Sequence, residues 1–117
     1  MSKSNPVLRD AIVFLERQGK KKKAAVWSDA SRALSLGSSK GVEVNVGRIS
    51  KVAAANSAVF VAGKVLGTGL IDKKIVVGAY SFSGTARRKI TDAGGAAVGI
   101  REFVKRHPDG SGVKVVN

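Results

Sequence analysis

The chain has no cysteine, a single histidine and two prolines in 117 residues. Without cysteine there is no disulfide and no cysteine-ligated zinc. A Ser–His–Asp machine needs its histidine within reach of a nucleophile. The one histidine, His107, stands beside Pro108 at a basic helix end, where it reads as a helix C-terminal cation or a phosphate contact. Aromatic residues make up only 5%, so a core must come mostly from Val, Ile, Leu and Ala. No apolar run approaches the ~20 residues of a membrane span, and the N-terminal Met1-Ser2-Lys3-Ser4-Asn5-Pro6 has no apolar signal core. Also missing are a G-x-S-x-G elbow, a P-loop, a G-x-G-x-x-G and an acidic pair suited to magnesium. The expectation is no enzyme, no metal, no cofactor, no membrane and no small-molecule substrate.

Acidic residues are the other scarce class. Eight Asp and Glu face twenty-one Lys and Arg, a net charge of +13. Residues 1–40 carry +6 and residues 41–117 carry +7, so the excess belongs to the whole body rather than to a tail. A small domain needs a charge of only about 2–8 for solubility. The surplus repels itself, and a polyanionic partner explains it best. Anionic membrane suits the pattern less well than nucleic acid does, because no basic helix has an aromatic, strongly apolar opposite face.

What is present is a globular apolar share of 44% with fourteen glycines, enough for one domain spanning residues 1–117. Asn5-Pro6 is a helix start, N-cap then proline at the first helical position. Val7, Leu8, Ala11, Ile12 and Leu15 form a helical stripe, and Gly19 ends it. Lys20–Lys23 then make a basic linker to a second helix from about Ala24 to Leu36, with Trp27, Ala30, Ala33 and Leu34 inward and Gly37 as its stop. Gly37–Gly41 reads as a flexible loop. From there strands are expected at Val42–Val46, Ala58–Ala62, Lys74–Tyr80, Ala96–Gly99 and Val113–Val116. Helices are expected within 47–55, from a Ser83 cap to about Ala93, and at Ile100–His107. The strand–helix–strand unit recurs loosely twice. Val-rich strands between helices give an α/β fold, a small domain of irregular strand–helix turns (41–117) with the two N-terminal helices and their linker (1–40) outside it.

Glycine beside a cation suits close approach to phosphate. The loop Gly63–Gly69 is expected to lie at an RNA interface through Gly63, Lys64, Gly67 and Gly69, with Val65 or Leu66 anchoring it; its glycines could also be plain turns between strands. Lys20, Lys21, Lys22 and Lys23 are the densest basic run. Arg87 and Arg88 point outward, since Ala86 and Ile90 take the inward face. Arg48, Lys51, Lys73, Lys74, Lys105, Arg106, His107 and Lys114 complete the candidate RNA contacts. Trp27 reads as core more than as a stacking platform. Tyr80 and Phe82, two apart, read as one core and one edge residue.

These blocks resemble the archaeal and eukaryotic large-subunit ribosomal protein family L-eighteen-e, a structural relative of the bacterial-type L-fifteen protein. The resemblance runs along essentially the whole chain. Its most specific parts are Glu43-Val44-Asn45-Val46-Gly47-Arg48-Ile49, Gly63-Lys64-Val65-Leu66-Gly67-Thr68-Gly69 and Ala79-Tyr80-Ser81-Phe82-Ser83. It continues through Ala93-Gly94-Gly95 to Pro108-Asp109-Gly110-Ser111-Gly112-Val113. Ala62 stands where a proline is expected, and Lys51–Ser57 is alanine-rich where charge is expected. Long terminal extensions of the eukaryotic kind are missing, which favours an archaeal source. The resemblance implies a non-catalytic constituent of the large ribosomal subunit in the cytoplasm, with large-subunit rRNA and neighbouring ribosomal proteins as partners. A DNA-binding or DNA-compacting protein and a small RNA-processing enzyme are the alternatives.

Overall fold

The computed structural model describes residues 6–40 and 42–116, and of residues 37–40 only the backbone. The expected cap Asn5 and the loop residue Gly41 lie outside the described residues. Two helices come first, α1 (Pro6–Lys22) and α2 (Ala25–Lys40). Then follow β1 (Glu43–Asn45), α3 (Val46–Val52), β2 (Ser57–Leu66), β3 (Ile75–Phe82), α4 (Gly84–Asp92), β4 (Ala96–Val98), α5 (Ile100–Arg106) and β5 (Val113–Val116).

All the pairings in the sheet are parallel. The order is β1-β2-β3-β4, with β5 also on β2. One edge of β2 takes β3. The other edge is shared end to end: β5 pairs with Ala58–Val61 and β1 with Lys64–Leu66. Between these stretches β2 carries one extra residue, a register shift between Val61 and Lys64. Gly63 sits in this bulge. It is buried, and a Cβ there would collide with the carbonyl of Val42.

A parallel sheet must be covered on both faces. Val59, Val61, Val65, Ile75, Val77 and Ala79 face one side, under Ile49 of α3 and Ala86 and Ile90 of α4. Ala58, Phe60 and Ala62 face the other, under Leu15 of α1, Trp27, Ala30 and Leu34 of α2, and Phe103 and Val104 of α5. The α/β fold class holds, but the N-terminal helices are not outside the body. Without them Phe60 and Phe103 would be left in water.

Two glycines expected as stops do something else. The first helix runs through Gly19 to Lys22, and the second runs through Gly37 to Lys40. Gly19 is a crossing point: a Cβ there would come within 2.9 Å of the Ser28 nitrogen. Ser31 Oγ ties the same pair by donating to the Ile12 carbonyl at 2.8 Å. The turn falls at Lys23, whose φ is 51°. Three of the four lysines therefore belong to the last turn of α1, where positive charge suits the helix dipole, and not to a linker. Ser83 caps α4 as expected, its Oγ accepting from the Ala86 nitrogen at 3.1 Å. Trp27 is fully buried and donates from Nε1 to the Pro108 carbonyl at 2.9 Å. Tyr80 and Phe82 are both partly buried, packed against opposite cores.

Candidate nucleic-acid interface

The expected loop Gly63–Gly69 is half strand. Gly63 to Leu66 belong to β2, because their pairing with β1 and β3 continues the ladder. Val65 is buried, as its anchoring role requires. The connection proper is the eight-residue segment Gly67–Lys74. Ile75 lies beside Ser57, so this segment must return the whole length of the sheet. The return is about 26 Å at ~3.3 Å per step, and from Leu66 to Ile75 the chain reaches roughly 30–32 Å at most. Parallel crossovers usually take a dozen residues or more and a helix. This one is a nearly taut strap.

The strap is pinned along its length. Gly47 donates its N–H to the Thr68 carbonyl at 3.1 Å. Lys89 Nζ, from α4, donates to the carbonyls of Gly67 and Gly69 at 2.7 and 2.8 Å. Ile71 packs on the core. Lys73 Nζ reaches the Ser50 and Ala53 carbonyls at the end of α3, at 2.7 and 3.1 Å. Gly69 has φ +93°, and its Cα side is pressed against Gly47, so glycine is required there. Gly67 has no left-handed φ; its constraint is Thr85, whose Cγ2 would lie 2.6 Å from an added Cβ. The close approaches of all three expected glycines are made to the protein's own chain.

The cations divide in the same way. Lys73 joins Lys114, whose Nζ donates to the Val52 carbonyl at 3.0 Å, in neutralising the carbonyl end of α3. Arg87 donates to the Ala97 carbonyl at 3.2 Å and lies over the Phe82 ring. Arg106 pairs with Glu102 at 3.2 Å on the surface. His107 is partly buried against Phe103, ring centroids 5.0 Å apart, and its Nε2 is buried without a hydrogen-bond partner among the described residues. Burial, then the charge of Arg106, holds its pKa below the usual histidine value. It does close α5, but its burial works against the charge that a helix-end cation would carry.

The remaining expected cations are exposed, and their side chains have no polar partner among the described residues: Lys20–Lys23, Arg48, Lys51, Lys64, Lys74, Arg88 and Lys105. Arg48 and Lys51 come together with the strap. They line an open groove of about 800 Å³ between α3 and the strap, together with Asn45, Thr68, Leu70, Asp72 and Lys73. Asp72 is the one acid in that lining, and Ser50 Oγ donates to it at 3.3 Å. Leu70, at the strap's outer turn, is 83% exposed. Sequence reading passed over Leu70 and took Lys89 only as the end of the basic cluster Arg87-Arg88-Lys89, not as a contact. An apolar residue after a glycine-rich turn was a signal for the first; nothing local marks the carbonyls that the second finds.

Residues 50–98, from α3 to β4, match the family described as the 50S ribosomal proteins L15 and L18e and the 60S ribosomal protein L-twenty-seven-A. Over 116 residues the chain is 43% identical to the large ribosomal subunit protein eL18 of Archaeoglobus fulgidus, covering 99% of each. It is 40% identical to that of Haloarcula marismortui, again over 99% of each. The eL18 protein of Methanoregula boonei is 33% identical over 99% of this chain and 96% of its own. The chain belongs to the eL18 family of large-subunit ribosomal proteins.

Proposed function

We propose that this protein is a structural, non-catalytic constituent of the large ribosomal subunit in the cytoplasm, holding folded rRNA through its free basic surface. The observation that carries the reading is the groove with Arg48 and Lys51 on its rim. Both cations are exposed and unpaired among the described residues, at the edge of a strap that is already fully braced. Cations left without internal work in a chain of +13 are counterions in search of an anion. The family name points the same way, since the relatives are named as large ribosomal subunit proteins. Neighbouring ribosomal proteins would share the surface.

The mechanism is electrostatic and steric. Lysine and arginine displace condensed counterions from phosphates, and recognition follows the shape of folded RNA instead of a groove-read sequence. The single histidine, with Nε2 buried, is poorly placed to serve as a general base. The test is a salt titration of binding to large-subunit rRNA. Six or more phosphate contacts lower affinity about 10³-fold or more between 50 and 200 mM salt. A flat response would sink the proposal.

A further inference from the structure

Leu70 is the most exposed large apolar residue among those described, at 83%, yet the backbone on either side of it is braced. Lys89 holds the carbonyls before it, Lys73 holds the strap beyond it, and Ile71 beside it is packed on the core. The strap has little slack to fold the side chain away. A braced backbone has little further freedom to lose when it meets a partner, so only the Leu70 side chain remains to be ordered.

We propose that Leu70 packs against the face of an unpaired nucleobase while Arg48 and Lys51 hold the phosphates beside it. This rests on the rRNA-binding reading above. The chemistry of the groove selects this occupant. Its rim supplies cations, one acid already bonded by Ser50, and one exposed large apolar side chain. A protein partner would be met by a contiguous apolar patch, and Leu70 is the only large apolar side chain in this groove that is fully exposed. Duplex RNA offers phosphate and ribose but keeps its base faces stacked. An unpaired nucleotide offers a phosphate and a bare base face side by side.

Three variants separate the terms in binding to the organism's own large-subunit rRNA. Leu70→Ser is expected to weaken binding about 10-fold with the salt slope unchanged, and Leu70→Phe is expected to hold or improve it. Arg48→Gln is expected to weaken binding and lower the salt slope by nearly one. Thermal unfolding checks that each variant is folded, as an exposed site allows. The chain has no cysteine, so Leu70→Cys carries the sole thiol for a benzophenone crosslinker. Crosslinks should map by primer extension to unpaired nucleotides.

Leu70→Ser binding within twofold of a parent that itself binds with a steep salt response would overturn this proposal and leave the rRNA reading intact. So would crosslinks confined to duplex RNA, or only to protein in reconstituted subunits. A parent that does not bind the rRNA would overturn both.

Discussion

On the helical face of the sheet, Trp27, Phe60 and Phe103 meet ring to ring, with Trp27 and Phe103 edge-on at 6.0 Å. The basic side chains at that corner, Lys20–Lys23, are exposed and bond to nothing among the described residues. On the strap face no aromatic is fully buried. Its aliphatic core is closed over by lysines: Lys89 on the strap, Lys73 and Lys114 on the end of α3. One face is held by shape and the other partly by charge on carbonyls. Thus equal stretches of positive charge do unequal work, and a count of cations overstates how many are left without an internal partner among the described residues.

The sharpest break of this contrast is Trp27→Ala. It removes the largest side chain of the helical core and leaves the Pro108 carbonyl only its longer bond from Gln18 Nε2 at 3.3 Å. Stability measured by urea unfolding should fall by about 3–5 kcal/mol. Lys89→Met comes next. It leaves the Gly67 and Gly69 carbonyls without their donor, at about 1–2 kcal/mol, since water reaches part of the site. Amide hydrogen exchange should rise at the strap and not at Phe60. Equal rises on both faces would contradict separate closure.

The double variant Lys22→Gln, Lys23→Gln should change stability by no more than ~0.5 kcal/mol. If these lysines meet phosphate, the same variant lowers the salt slope of rRNA binding by roughly 1.5. An unchanged slope would exclude this corner from the interface.

The smallest effect is that of pH on His107. Its folded pKa lies below the ordinary value because burial opposes the charge. The unfolded chain then binds more protons in the window between the two values, so stability rises with pH there. The contribution is complete above the ordinary pKa of about 6.5 and is lost as pH falls through the folded value. Urea midpoints at pH 7.5 and 5.5 should show it, and His107→Gln should remove that part of the slope.

Much of this protein was determined by local sequence alone. The stripe of Leu8, Ile12 and Leu15, the Ser83 cap with Ala86 and Ile90 behind it, and the Val-rich strands are all local patterns, and each element exists where its pattern lies, although β2 runs on to Leu66 through half of the expected loop. The basic character of the surface is likewise a matter of composition. Three things required the tertiary structure. Gly19 and Gly63 are glycine because another segment of backbone crosses there, and a helix stop and a crossing glycine look identical in one dimension. Lys73, Lys89 and Lys114 find carbonyls 20 to 62 positions away, a pairing no local window contains. The strap is taut because β2 and β3 run parallel and adjacent, and only that geometry turns eight ordinary residues into a brace that holds Leu70 outward.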